Sequence, residues 1–194
     1  VASYVQIANL AGELIGTDAR LTSPDDDRPL ARNVKAVWDL QRRATIGDGS
    51  WNFATRRDAL PALAAAVPYP FSYAYQLPAD ALRLLEVLND TARDSYQLEG
   101  GKILCDTAAP LYVRCLVDVT EPALWDDGFA DAFAKRIAYT IGKRIAGSTY
   151  DVTMGWRLYQ DAINDSKAQD ARENPPIQQE ESSWIEARLG GRWY

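Results

Sequence analysis

Phe129, Phe133, Ile137, Ile141 and Ile145 step by four residues, with Ala130, Ala134 and Ala138 beside them. Only a helix gathers such a series onto one face. Gly147 stops it. A face this apolar needs partners, and three other segments share its period. Val5, Ala8, Ala11 and Ile15 predict a helix over 4–15, closed by Gly16. Leu30, Val34, Val37, Trp38 and Gln41 predict a second, over 30 to about 45. Val152, Trp156, Tyr159 and Ile163 carry the face of the last, over 149 to about 171, whose end from Asp165 to Arg172 is polar. Four stripes of this kind can be buried in one bundle.

Between the second and third helices the texture changes. Pro68 and Pro70 break helix continuity, and Phe71, Tyr73 and Tyr75 alternate with smaller or polar residues at the period of a strand. Residues 81–88 read as a short helical turn leading into a strand at 84–88. Residues 50–55 are a short aromatic segment, and 58–66 are ambiguous. Gly100-Gly101 sits between two strand-like runs and can supply the positive φ values of a tight hairpin. Over 111–117, Tyr112, Arg114 and Leu116 should point one way and Val113, Cys115 and Val117 the other. The expected fold is therefore α+β: a four-helix bundle with a small antiparallel β-sheet inserted between helices two and three, plus an extended C-terminal arm. Residues 1–49 and 120–173 would form the bundle, 50–119 the β region and 174–194 the arm.

The chemistry available is narrow. The 194 residues include no histidine, which removes the usual general base and much zinc chemistry. Cys105 and Cys115 fall on neighbouring predicted strands, and two buried free thiols are the simpler reading than a disulfide. Neither phosphate-cradling glycine motif is present. Asp80 with Glu86, or Asp126 with Asp127, are the carboxylate pairs to nominate for catalysis, but caps and surface charge explain them equally well. The reading is not an enzyme, with no cofactor and no metal. A formal net charge of −6 argues against a dedicated nucleic-acid binder, and no apolar run approaches a membrane span.

Several segments, taken in order, carry a resemblance. They are "YAYQLPADALRLLEV" from Tyr73 to Val87, "YQLEGGKILCD" from Tyr96 to Asp106, and a polar fourth helix followed by Ser183-Trp184-Ile185-Glu186-Ala187-Arg188. The chain resembles the head-to-tail adaptor proteins of tailed bacteriophages, also called tail tubular protein A or gatekeeper. The resemblance implies a structural protein of the virion, located at the head-tail junction and assembled in the host cytoplasm. It implies a dodecameric homo-oligomeric ring below the portal protein, with a tail or nozzle protein beneath. DNA would pass through the channel without sequence-specific binding.

The last residues suit that role. An arm that follows the helix breaker Asn174-Pro175-Pro176 can be ordered on binding. Trp184, Ile185, Leu189, Trp193 and Tyr194 are the apolar anchors expected at a partner interface, with Arg188 and Arg192 placed to meet acidic groups. Charged residues around Arg42, Arg43, Lys143, Arg144 and 165–173 are further candidates for subunit contacts. The competing reading is a small monomeric binding or regulatory protein with its tail packed on its own core.

Overall fold

The computed structural model describes residues 2–89, 92 and 95–173. Helix α1 spans Tyr4–Ile15. A reciprocal capping box opens it: the Gln6 amide donates to Ser3 Oγ and the Ser3 amide to Gln6 Oε1. Gly16, at φ 84°, closes it in the left-handed region that favours glycine. Helix α2 is Pro29–Gly47, with its proline in the first turn, where a missing N–H costs nothing. Helix α3 is Asp127–Ala146 and α4 is Val152–Glu173. Asp151 caps α4, its Oδ1 accepting from the amides of Thr153 and Met154.

Among the described residues, six strands lie between α2 and α3: β1 (Thr55–Leu60), β2 (Tyr73–Gln76), β3 (Ala81–Val87), β4 (Tyr96–Glu99), β5 (Lys102–Cys105) and β6 (Leu111–Val117). The expected fold class, with its one small sheet, is overturned. The strands form two three-stranded antiparallel sheets, ordered β1-β6-β3 and β2-β5-β4. Only β4 and β5 pair as a local hairpin; the other strands adjacent in a sheet come from separated parts of the chain, and β2 and β3, consecutive in sequence, part into different sheets. Alternation marks a strand but does not name its neighbour. The helices also depart from a four-cornered bundle. α3 is the hub, packing on α1, α2 and α4, while α4 rests mainly on α3. The extended arm of that expectation lies outside the described residues.

Two apolar cores result. The helical core centres on Trp38, Trp51, Trp125, Phe129 and Phe133, whose rings meet mostly edge to face at centroid separations such as 5.2 Å for Trp125 and Phe129. The second core lies among the strands and includes Leu60, Tyr75, Ile103, Val113 and Cys115. β6 serves both: Leu116 belongs to the helical core, while Val113, Cys115 and Val117 belong to the other.

A polar cluster ties three helices together. Arg136 on α3 donates to Gln41 on α2, to Asp48 just past α2 and to the hydroxyl of Tyr159 on α4. Tyr159 in turn donates to Asp48 Oδ2 at 2.7 Å. Burial, then the Asp48 carboxylate, pushes the Tyr159 phenol well above its ordinary range, so it keeps its proton.

Candidate interaction site

Helix α4 buries Gly155, Tyr159, Ala162 and Ile163. The Tyr150 ring is wedged where α3 and α4 come together. A Cβ added at Gly142 would stand 2.5 Å from that ring, and one at Gly155 would collide with its hydroxyl. The two glycines therefore let the helices and the ring share one narrow space.

Because α4 rests mainly on α3, it has two open flanks. Toward α1 there is a groove of about 260 Å³, lined by Ala138, Leu14, Ile15, Met154 and Leu158, with Glu13, Asp151 and Lys135 also on its lining. Toward α2, Trp156 lies 5.1 Å from the Tyr139 ring, beside Val152, Thr140 and Lys143. At about 100° per residue, Met154 and Leu158 fall on one side of the Tyr159 stripe and Trp156 on the other. These side chains face solvent: Met154 is 50% exposed, Trp156 46% and Leu158 39%. Single exposed apolar residues are ordinary, but several along one helix mark a contact surface. The charges differ as well. Glu13 is paired with Arg20, and Asp151 is the α4 cap. On the other flank Lys143 has no ion-pair partner among the described residues. One flank is an aliphatic groove with charges of both signs at its rim, the other an aromatic ridge beside Arg136 and Lys143.

The residues singled out from sequence fare unevenly. Trp184, Ile185, Arg188, Leu189, Arg192, Trp193 and Tyr194 all lie outside the described residues. Arg42 is not the surface charge it was expected to be. It is 5% exposed and holds Asp118 bidentately, Nε to Oδ1 at 2.8 Å and Nη2 to Oδ2 at 2.9 Å. Arg43, Lys143 and Arg144 are exposed. The sequence period groups Val152 and Trp156 with Tyr159 and Ile163 on one face, whereas the structure leaves Trp156 on an open flank. The usable signal was width: residues 152, 154, 156, 158 and 159 are all apolar, too broad an arc for a single buried stripe.

No cluster of three His, Cys, Asp or Glu among the described residues is placed to hold a metal ion. Cys105 and Cys115 are free and buried, on strands of different sheets rather than neighbouring ones. Burial pushes the Cys115 thiol up to about 11, so it stays protonated near neutral pH. Asp80 is bound by Arg56 at 2.9 Å, which lowers its carboxyl pKa, while Glu86 faces Arg114 across the sheet. Asp126 and Asp127 sit at the start of α3, opposite Asp170 and Glu173 of α4. Burial, then repulsion from Asp170, Glu173 and Asp127, raises the Asp126 pKa. Burial, then Glu173, likewise raises that of Asp170 against the opposing pull of its Asn52 hydrogen bond.

That repulsion has a measurable sign. A carboxylate whose folded pKa is raised destabilises the fold above that pKa, and the penalty fades as pH falls through it. The Asp126 side chain makes no capping hydrogen bond, so Asp126→Asn removes the charge without losing one. It should raise the melting temperature at pH 7, and the gain should shrink as pH falls through the raised carboxylate range above 3.8. Thermal unfolding of both proteins across that range checks this; a gain that does not change with pH would sink the repulsion account.

No helix among the described residues is long and apolar enough to cross a membrane. No protein-family model and no curated protein matches the chain.

Proposed function

We propose that this chain is a structural subunit of a bacteriophage head-to-tail adaptor ring, seated between the portal and the tail or nozzle and traversed by DNA. The ordered segments from Tyr73 to Val87 and from Tyr96 to Asp106 support the reading. The observation that carries it is the pair of unlike flanks on α4. A closed ring of identical subunits is built by a heterologous contact, which requires two different, complementary surfaces on each copy. An aliphatic groove on one side and an aromatic ridge beside Lys143 on the other are two such unlike surfaces. A net charge of −6 suits a channel that lets DNA slide without gripping its phosphates.

The test is particle mass. The full chain is mixed with the portal ring of the same genome and measured by mass photometry. Addition of about one adaptor copy per portal subunit is the expected result. Failure to associate in every buffer that keeps the portal intact would overturn the reading. A second protein, cut after Pro176, tests the arm: if it adds as well as the full chain, Trp184, Trp193 and their neighbours are not the main anchors.

A further inference from the structure

The junction between the β1-β6-β3 sheet and the end of α4 holds a second cleft, of about 460 Å³, apart from both flanks. Arg83, Arg114 and Lys167 line it. Their charges are incompletely matched. Arg83 spends its guanidinium on backbone carbonyls, Nη2 to Gly49 O at 3.0 Å and Nη1 to Gly47 O at 3.3 Å. Arg114 reaches Glu86 only at 3.5 Å through Nη2, and its Nε is buried without a hydrogen-bond partner. Lys167 has no ion-pair partner among the described residues. Two carboxylates share the cleft, and each already accepts hydrogen bonds from the protein. Asp48 Oδ2 accepts from Arg136 and Tyr159, and Asp170 Oδ1 from the Asn52 amide at 2.9 Å.

Strand register adds an independent observation. Arg57 on β1 stands directly opposite Arg114 on β6. Like charges at facing positions of an antiparallel pair repel, and such a pair is destabilising on its own. A buried guanidinium N–H without an acceptor is also costly. A negative charge bound at Arg114 would offset the first, and an oxygen that reached its Nε would satisfy the second.

We propose that this cleft is an oxyanion site, taking a carboxylate or phosphate group against Arg114 and Lys167. Arginine matches both groups geometrically, since its planar fork suits paired oxygens. The cleft is wide enough for more than a bare ion, and Leu85, Thr55 and Ser50 at its walls suit the short stem of an acidic side chain. The ligand is thus either free phosphate or a glutamate or aspartate presented by a docked polypeptide. The site does not depend on the ring reading, because neither α4 flank contributes to it.

Two probes separate the sources: inorganic phosphate, and N-acetylglutamate α-amide, which offers one side-chain carboxylate. Each is titrated into the full chain at constant ionic strength while the Arg114 Nε–Hε resonance and the Lys167 amide are followed by NMR. Saturable shifts with a Kd of roughly millimolar are expected from at least one probe. Lys167→Gln should weaken binding about tenfold, the scale of one charge-assisted hydrogen bond. Lys102→Gln, at the exposed start of β5, should leave it unchanged. Response to phosphate alone assigns the site to free phosphate, and response to the carboxylate probe assigns it to an acidic side chain. The proposal is overturned if neither probe saturates, or if the two lysine variants weaken binding equally. Lys167 is on the helix surface, and the spectrum of the variant itself reports whether the fold is kept.

Discussion

Asp118→Ala should cost about 3–5 kcal/mol of folding stability, the range for removing one partner of a buried ion pair. Arg42 lies under the surface of α2, and Asp118 follows β6, so the substitution leaves a guanidinium with its main counter-charge gone. Asp39 also accepts from Arg42, but its side chain is 83% exposed and cannot take over both lost hydrogen bonds. Asp39→Ala should therefore cost no more than about 1 kcal/mol, as exposed pairs do. Urea unfolding of the two variants separates them: the Asp118→Ala midpoint falls far below wild type at an unchanged slope, and the Asp39→Ala midpoint barely moves. Equal costs would show that the pair is not the buried link described above. The pair matters beyond its energy because it joins a helix of one core to the strand that borders the other.

The second large effect concerns assembly. Trp156→Glu should leave a folded chain, because the side chain is nearly half exposed and, although its ring lies 5.5 Å from that of Tyr159, it makes none of the hydrogen bonds of the Arg136, Tyr159 and Asp48 cluster. It should reduce addition to the portal ring by about thirtyfold or more, since a tryptophan at the centre of an interface is typically worth at least 2 kcal/mol. Leu158→Glu, on the opposite flank, should do the same. The mixture is the sharper experiment. Each variant keeps one good flank, so in a heterologous contact the two can join to each other once and no further. Mass measurements should then find pairs rather than rings. If both variants assemble like wild type, the flanks are not the subunit contact.

Local pattern made part of this molecule legible. The stripe from Phe129 to Ile145 reads as a helix because its period leaves no other choice, and α1 runs over the residues its spacing indicates. Gly100 and Gly101 adopt φ of 55° and 75°, as a tight hairpin requires. The faces of β6 follow its alternation. What stayed hidden depends on contacts distant in sequence. β1 carries Arg56, Arg57 and Asp58 at its centre and fully buries only Leu60, so it lacks the alternation that would have announced it. The strand orders follow from how two sheets share an interior, which no single strand encodes. Arg42 reads as half of a surface pair with Arg43 because its partner Asp118 is far along the chain. The candidate α4 flanks are visible as composition but not as geometry. Their openness is set by where α1 and α2 lie on α3.

Cys115 and Leu116 are consecutive residues that sit in different cores. A single peptide unit thus belongs to both interiors. Displacing β6 would open both interiors at once. The two cores should therefore unfold as one cooperative unit, with the β6 amides among the last to exchange with solvent. Strand β6 is in this sense a party wall: a load applied to either side, including the pull of a bound partner, is carried directly to the other.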